Sequence, residues 1–194
     1  KLSYDVADAI LDEPTHLRYP MLNALFHVGE QLLLNRIDAG ALSVANLNRR
    51  VEILPDGEIS VSIQTRHSRA DLLVSELMVF TNAEVGRFCA SEKIPVFYRV
   101  QQAPDISEVE PTENERLHRY RVLKQMRPAS SSLIPGAHGG LGVTPYCQST
   151  SPLRRYLDLV TQRQLAGVLA GQTIPYTEED LTAVGEGNTD SSRT

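Results

Sequence analysis

Cysteine is nearly absent from these 194 residues. Only Cys89 and Cys147 occur, far apart and without metal-type spacing. That excludes a disulfide scaffold and favours a reduced, cytoplasmic setting. Long apolar runs are missing too. The longest, around Leu32-Leu33-Leu34 and Leu77-Met78-Val79-Phe80, span a few residues. Crossing a bilayer takes roughly 18, so a membrane protein is excluded as an expectation. No signal peptide opens the chain. Lys1-Leu2-Ser3-Tyr4 leads straight into a polar, helix-like pattern, and Lys1 in place of Met suggests processing or a piece of a longer protein. No Walker loop, dinucleotide fingerprint or Gly-x-Ser-x-Gly elbow is present. Without that elbow, the esterase-like look of His138-Gly139-Gly140 does not make a serine hydrolase. The histidines (His16, His27, His67, His118, His138) lack metal-ligand spacing.

What is present reads as globular. Hydrophobic residues make up 41% and charged residues 22%, close to ordinary folded chains. The length suits one domain or two small ones. The net charge of −5 carries no global nucleic-acid signature, but it is unevenly spread. Between residues 113 and 127, Arg116, Arg119, Arg121, Lys124 and Arg127 face only Glu113 and Glu115. Arg154, Arg155 and Arg163 outweigh Asp158. Local basic clusters on an acidic body can still hold phosphate, because the nearby field does the binding.

Periodicity places the elements. Ser3 caps a short helix to about Leu11, with Val6 and Ile10 on one face. Leu22, Leu25, Phe26, Gly29, Leu32 and Leu33 mark a helix from Met21 to Arg36, stopping near Gly40. Val51 and Ile53, then Ile59, Val61 and Ile63, alternate on either side of Pro55-Asp56-Gly57 and predict a hairpin. A long helix is expected from Arg66 to about Ser91, with Leu72, Leu73, Leu77, Phe80, Val85 and Phe88 as its apolar stripe. Pro95 to Val100 reads as a short strand, residues 103–112 as a linker, and Glu113 to Met126 as a basic-faced helix. Pro128-Ala129-Ser130-Ser131-Ser132 reads as a breaker. A last helix runs from Pro152 to about Ala170, and residues 176–194 form a loose C-terminal segment. The class is α+β, helix-rich with few strands, which suggests a partner layer encoded elsewhere.

Two places could carry chemistry. In Thr150-Ser151-Pro152-Leu153-Arg154-Arg155-Tyr156-Leu157-Asp158, Thr150 or Ser151 suits an N-cap and Pro152 the first turn. Two arginines would then sit in a first helical turn, where cations oppose the helix dipole. A bound anion reverses that sign, because amides, hydroxyls and guanidinium forks converge on one phosphate. Arg154 and Asp158 are four apart, so one can orient the other. Leu153, Tyr156, Leu157, Val160 and Val168 are expected to form the buried face. The plain alternative is a solvated Arg-Arg pair with an intrahelical salt bridge. The second place is Glu76, a carboxylate set by spacing among apolar residues of its helix. Such a group is costly unless paired or used. It is either a structural ion pair or a ligand for a sugar hydroxyl, a metal-bound water or an arginine.

The run Thr150-Ser151-Pro152-Leu153-Arg154-Arg155-Tyr156-x-Asp158-Leu159, with Arg163 following, resembles the signature of the ribonuclease II / ribonuclease R (RNB) family. Collinear matches extend the resemblance over roughly residues 2–170. They include Arg36 to Gly40-Ala41-Leu42, Glu76-Leu77-Met78 through Asn82, Pro95 to Arg99-Val100, and His138-x-Gly140-Leu141 with Tyr146. The resemblance implies an α+β catalytic domain in which single-stranded RNA threads a channel to a magnesium site. Hydrolysis then proceeds 3′ to 5′ and releases nucleoside 5′-monophosphates. It implies that Arg154 clamps the scissile phosphate and that Glu76 reads the terminal nucleotide as RNA through its 2′-hydroxyl. Ser151, Arg155, Tyr156, Arg163 and Tyr146 would contact RNA, with Tyr146, Arg155 and Arg163 lining or bracing the channel.

The family's clustered aspartates are absent. Residues 1–175 therefore resemble the C-terminal half of the catalytic domain, with magnesium ligands expected upstream. Glu178-Glu179-Asp180 falls at the wrong end to replace them. A base-stacking aromatic of some members would fall near Val44. The stretch between Arg99 and His138 is short for the family, and Gln148-Ser149 and Gln162 replace common family residues. On this reading the fragment alone does not cleave RNA. The rival is a catalytically inactive RNB-like domain that binds RNA or protein.

Overall fold

A computed structural model describes residues 2–42, 47–53, 58–65, 68–105, 107, 109, 112 and 114–191. The chain divides into two compact units. The first comprises Lys1–Asn35 with Ser43–Leu77, and the second Arg36–Leu42 with Met78–Thr194. The Pro55-Asp56-Gly57 turn, Val44, and Arg66-His67 lie outside the described residues.

In the first unit, α1 (Tyr4–Leu11) starts where Ser3 accepts the Val6 N–H at 3.3 Å. Ala7, Ile10 and Leu11 are its buried residues, while Val6 is exposed, contrary to the expected Val6–Ile10 face. Helix α2 (Tyr19–Asp38) contributes Leu22 to the same core, with Tyr19 and Phe26 packed against it. Strands β1 (Leu47–Ile53) and β2 (Ile59–Thr65) pair antiparallel with Val51 opposite Val61 and Ile53 opposite Ile59. Helix α3 (Arg69–Ser91) begins later than expected, at a cap supplied by Ser68, whose hydroxyl accepts the Asp71 N–H at 2.9 Å. Arg69 donates to the Leu11 carbonyl at 3.1 Å and the Asp8 carbonyl at 3.3 Å, and pairs with Asp12. A cation thus closes the C-terminal end of α1, where the dipole favours it. The Asp8 carboxylate in turn accepts the Ala70 N–H at 2.9 Å. Gly29 lets α2 and α3 approach closely, since a Cβ there would lie 3.3 Å from Leu73 Cα.

The second unit holds the rest of α3, β3 (Tyr98–Val100), α4 (Glu115–Lys124), β4 (Ser130–Ser132), a 3₁₀ turn (Gly139–Leu141), α5 (Tyr156–Leu169) and α6 (Glu178–Ser191). Successive residues leading into β3 face opposite ways. Val96 and Tyr98 join Cys89, Ile94 and Cys147 in one core, and Phe97 joins Val160 and Leu181 in another. Burial pushes the Cys89 thiol up to about 11 and the Cys147 thiol to about 12, so both stay protonated at neutral pH.

The serine-rich breaker forms β4, with Ser132 opposite Tyr98 and Ser130 opposite Val100. Pairing with β3 overrides the weak strand preference of serine. The segment expected to be loose from residue 176 carries α6. Thr177 and Asp180 cap it reciprocally, Asp180 N–H to the Thr177 hydroxyl at 3.2 Å and Thr177 N–H to the Asp180 carboxylate at 2.9 Å. Leu181 anchors it in the core. Gln164 on α5 is fully buried. It donates to the Pro95 and Tyr176 carbonyls at 2.9 and 2.8 Å and accepts the Tyr176 N–H at 3.0 Å. That satisfies its amide and fixes the chain entering α6.

Candidate functional site

The Thr150–Asp158 run does not fold as its residue types suggest. Helix α5 starts at Tyr156, with Arg155 in extended backbone as its N-cap residue. Residues 151–155 form a separate turn. The Arg154 and Arg155 amides both donate to the Ser151 carbonyl, at 3.2 and 3.0 Å. The arginines therefore precede the helix rather than occupy its first turn. Asp158 pairs with Arg155, not with Arg154 four residues before it, Nη2 to Oδ2 at 2.7 Å. That oxygen also accepts the Ser151 N–H at 2.8 Å. One buried carboxylate oxygen, on a residue 1% exposed, thus joins the first and last residues of the turn.

A second hub fixes the chain just before it. Asn82 on α3 is 2% exposed. Its amide donates to the Tyr146 hydroxyl at 3.1 Å and the Thr150 hydroxyl at 3.3 Å. Its carbonyl oxygen accepts the Ser149 N–H at 2.9 Å and the Ser149 hydroxyl at 3.1 Å. Gln162 adds a bond to the Ser149 carbonyl at 2.7 Å. Asn82 is the residue that sequence reasoning gave no role. The signal was there: it shares a helical stripe with Gly86, four residues on, where a Cβ would lie 3.2 Å from the Cys147 nitrogen and the Pro145 carbonyl oxygen.

The expected site residues separate into exposed and bracing positions. Arg154 is exposed, and its guanidinium donates from Nη2 to the Ser151 hydroxyl at 3.3 Å. Leu153 is fully exposed and Tyr156 is 52% exposed, so neither belongs to the buried face expected of them. That face is built by Asp158, Val160, Thr161, Gln164 and Gly167. Arg163 is exposed and donates to the Tyr176 hydroxyl at 2.7 Å. Arg155 keeps 27% of its side chain exposed behind the Asp158 pair.

Tyr146 is buried, in a bracing position. Burial raises its phenol above the ordinary value, against the lowering effect of the Asn82 bond. His138 stacks edge-on against Tyr146, ring centroids 5.3 Å apart, and burial holds its imidazole below the usual range. It is therefore neutral at pH 7. The neighbouring glycines are packing devices. Gly142 sits at φ +63, and a Cβ there would lie 2.6 Å from the Arg36 carbonyl oxygen.

Glu76 belongs to the first unit and is buried, as the stripe predicted; Phe80 and Phe88 of that stripe are exposed. Among the described residues no three His, Cys, Asp or Glu side chains gather as metal ligands, so no metal site is built from them. The acidic Glu178-Glu179-Asp180 run instead sits in the first turn of α6, where it complements the dipole. No described helix is long and apolar enough to cross a membrane.

The chain is 30% identical over 173 residues to an uncharacterized ribonuclease of Synechocystis sp., a match covering 85% of this chain and 25% of that protein. The crystal structure of an active-site mutant of the Dss1 exoribonuclease from Candida glabrata superposes with a TM-score of 0.81 at 26% identity, covering 95% of this chain and 26% of that one. Yeast Ssd1, described as a pseudonuclease, shares the fold with a TM-score of 0.67 at 18% identity, over 95% of this chain and 27% of that one. The chain thus spans about a quarter of the length of each. The RNB domain model matches residues 1–115 and 105–171. That match covers most of the chain, and the chain belongs to the RNB domain family.

Proposed function

We propose that this chain is the phosphate-holding part of a hydrolytic exoribonuclease. The complete protein would degrade single-stranded RNA from its 3′ end and release nucleoside 5′-monophosphates, in a cytoplasmic setting. The observation that carries this reading is Arg154. Its guanidinium is exposed on a turn whose neighbours on both sides are tied down by buried polar groups. An exposed cation on a rigid mount suits an anionic ligand, since the cost of ordering the site is met before the ligand arrives.

In the reaction, attack on phosphorus builds negative charge on the non-bridging oxygens. The Arg154 fork would neutralise that charge as it develops. Ser151, Tyr156 and Arg163 are proposed to contact the strand, with Arg155 and Tyr146 bracing the wall. Glu76 is proposed to accept a hydrogen bond from the terminal 2′-hydroxyl, the group that separates RNA from DNA. Magnesium, which the family resemblance implies, would have to be held by residues other than those described. We therefore place cleavage in the complete protein and expect none from residues 1–194 alone.

The rival reading, an inactive RNB-like domain that binds RNA or protein, draws on the pseudonuclease that shares this fold, because a fold does not decide catalysis. The test is the complete protein on a 5′-labelled single-stranded RNA. Shortening from the 3′ end with release of nucleoside 5′-monophosphates is the expected result. RNA retained intact would favour the binder.

A further inference from the structure

The Arg155–Asp158 pair is an unusual way to start a helix. A serine or threonine would cap α5 without burying charge. Buried ion pairs are weak contributors to stability, and apolar residues of similar volume often do as well. Here the pair is also incomplete. Arg155 Nε and Asp158 Oδ1 are both buried and lack a hydrogen-bond partner among the described residues. Among the described residues the carboxylate's bonds fall on Oδ2, which accepts the Ser151 N–H at 2.8 Å and the Arg155 guanidinium at 2.7 Å. Those two residues are the ends of the turn, and Arg154 lies between them. The arrangement serves the geometry of the turn more than the energy of the helix.

We infer that Asp158 is a positioning residue. Its Oδ2 clasps Ser151 to Arg155 and so fixes where the Arg154 guanidinium stands relative to the phosphate it meets. This rests on the phosphate-holding reading of Arg154. A misplacement on the order of 1 Å can cost about 100-fold in rate without touching the reacting atoms. Loosening the clasp therefore lowers the chemical step while the strand, held by its other contacts, still binds. A clasp that merely stabilised the fold would act on folding and not through Arg154.

The experiment is a double-mutant cycle in the complete protein on single-stranded RNA. Arg154→Ala, Asp158→Asn and the double variant are compared for kcat, KM and thermal unfolding. Asp158→Asn is expected to lower kcat about 10- to 100-fold, with KM changed less than about threefold. In the Arg154→Ala background the same substitution is expected to lower kcat by less than about threefold, because the group it positions is gone. Equal losses in both backgrounds would overturn the inference, as would an unchanged kcat for Asp158→Asn alone. If Arg154→Ala itself leaves kcat unchanged, the phosphate-holding reading falls and takes this inference with it. Should Asp158→Asn fail to fold, Arg155→Lys removes the fork while keeping the charge and is expected to show the same dependence on Arg154. Its independence of Arg154 would overturn the inference equally.

Discussion

Arg154→Ala in the complete protein is expected to lower turnover of single-stranded RNA by about 100-fold or more while leaving the fold intact. The first half follows from the proposed phosphate-holding role, the second from where the residue sits. The side chain is exposed, and its guanidinium bond to the Ser151 hydroxyl is a long 3.3 Å. Exposed substitutions away from caps and cores usually change stability by no more than about 0.5 kcal/mol. Removing a donor aimed at developing charge costs far more, about 2.7–4 kcal/mol, or 100- to 1,000-fold in kcat.

Binding should respond less. One lost phosphate contact on a single strand lowers the salt dependence of affinity by about 0.7 in the log–log slope. Measured together, single-turnover rate, affinity at two salt concentrations and thermal unfolding separate the two roles. A variant that unfolds several degrees early and loses rate in proportion would make Arg154 structural. A variant with wild-type rate would remove it from the chemistry.

Asn82→Ala is expected to act the opposite way, on the fold first. The side chain is buried and fully used, with two donors and two accepted bonds directed at Tyr146, Thr150 and Ser149. Truncation strands the buried Ser149 N–H and the Tyr146 hydroxyl and opens a cavity beside them. An unsatisfied buried group costs about 1–3 kcal/mol. The loss should be about 3 kcal/mol, read as a lower unfolding temperature. Activity at a temperature where the variant is folded should also fall, because residues 149–151 lead into the Arg154 turn. Thermal unfolding of the complete protein checks this. A loss below about 1 kcal/mol would show that Ser149 and Tyr146 find other partners and that Asn82 is not the hub described.

How far the sequence carried this account depended on how local each feature is. The Ser3 cap, the two alternating strands of the hairpin and the burial of Glu76 follow from local spacing, and each was legible. The start of α5 was not. Thr150-Ser151-Pro152 has the residue types of a helix start, yet the helix waits until Tyr156. The bonds that decide it come from elsewhere, Asn82 on α3 and Asp158 within α5 itself. The pairing of Asp158 with Arg155 rather than Arg154 follows from that delay, since an i,i+4 argument assumes that both residues are already helical. Helix α6 was missed because its composition is poor in helix formers, while its stability comes from the Thr177–Asp180 cap and the burial of Leu181. Strand β4 was missed for a related reason. Three serines carry no strand signal, and only the partner strand makes them one.

The most direct test of the central claim is a crystal structure of the complete protein holding a short single-stranded RNA that it cannot cleave. The account predicts the Arg154 guanidinium at hydrogen-bond distance, about 2.7–3.2 Å, from non-bridging oxygens of the phosphate at the scissile position. It also predicts the turn from Ser151 to Arg155 still clasped by Asp158. A strand bound with its scissile phosphate on other cations, and Arg154 turned to bulk solvent, would contradict it.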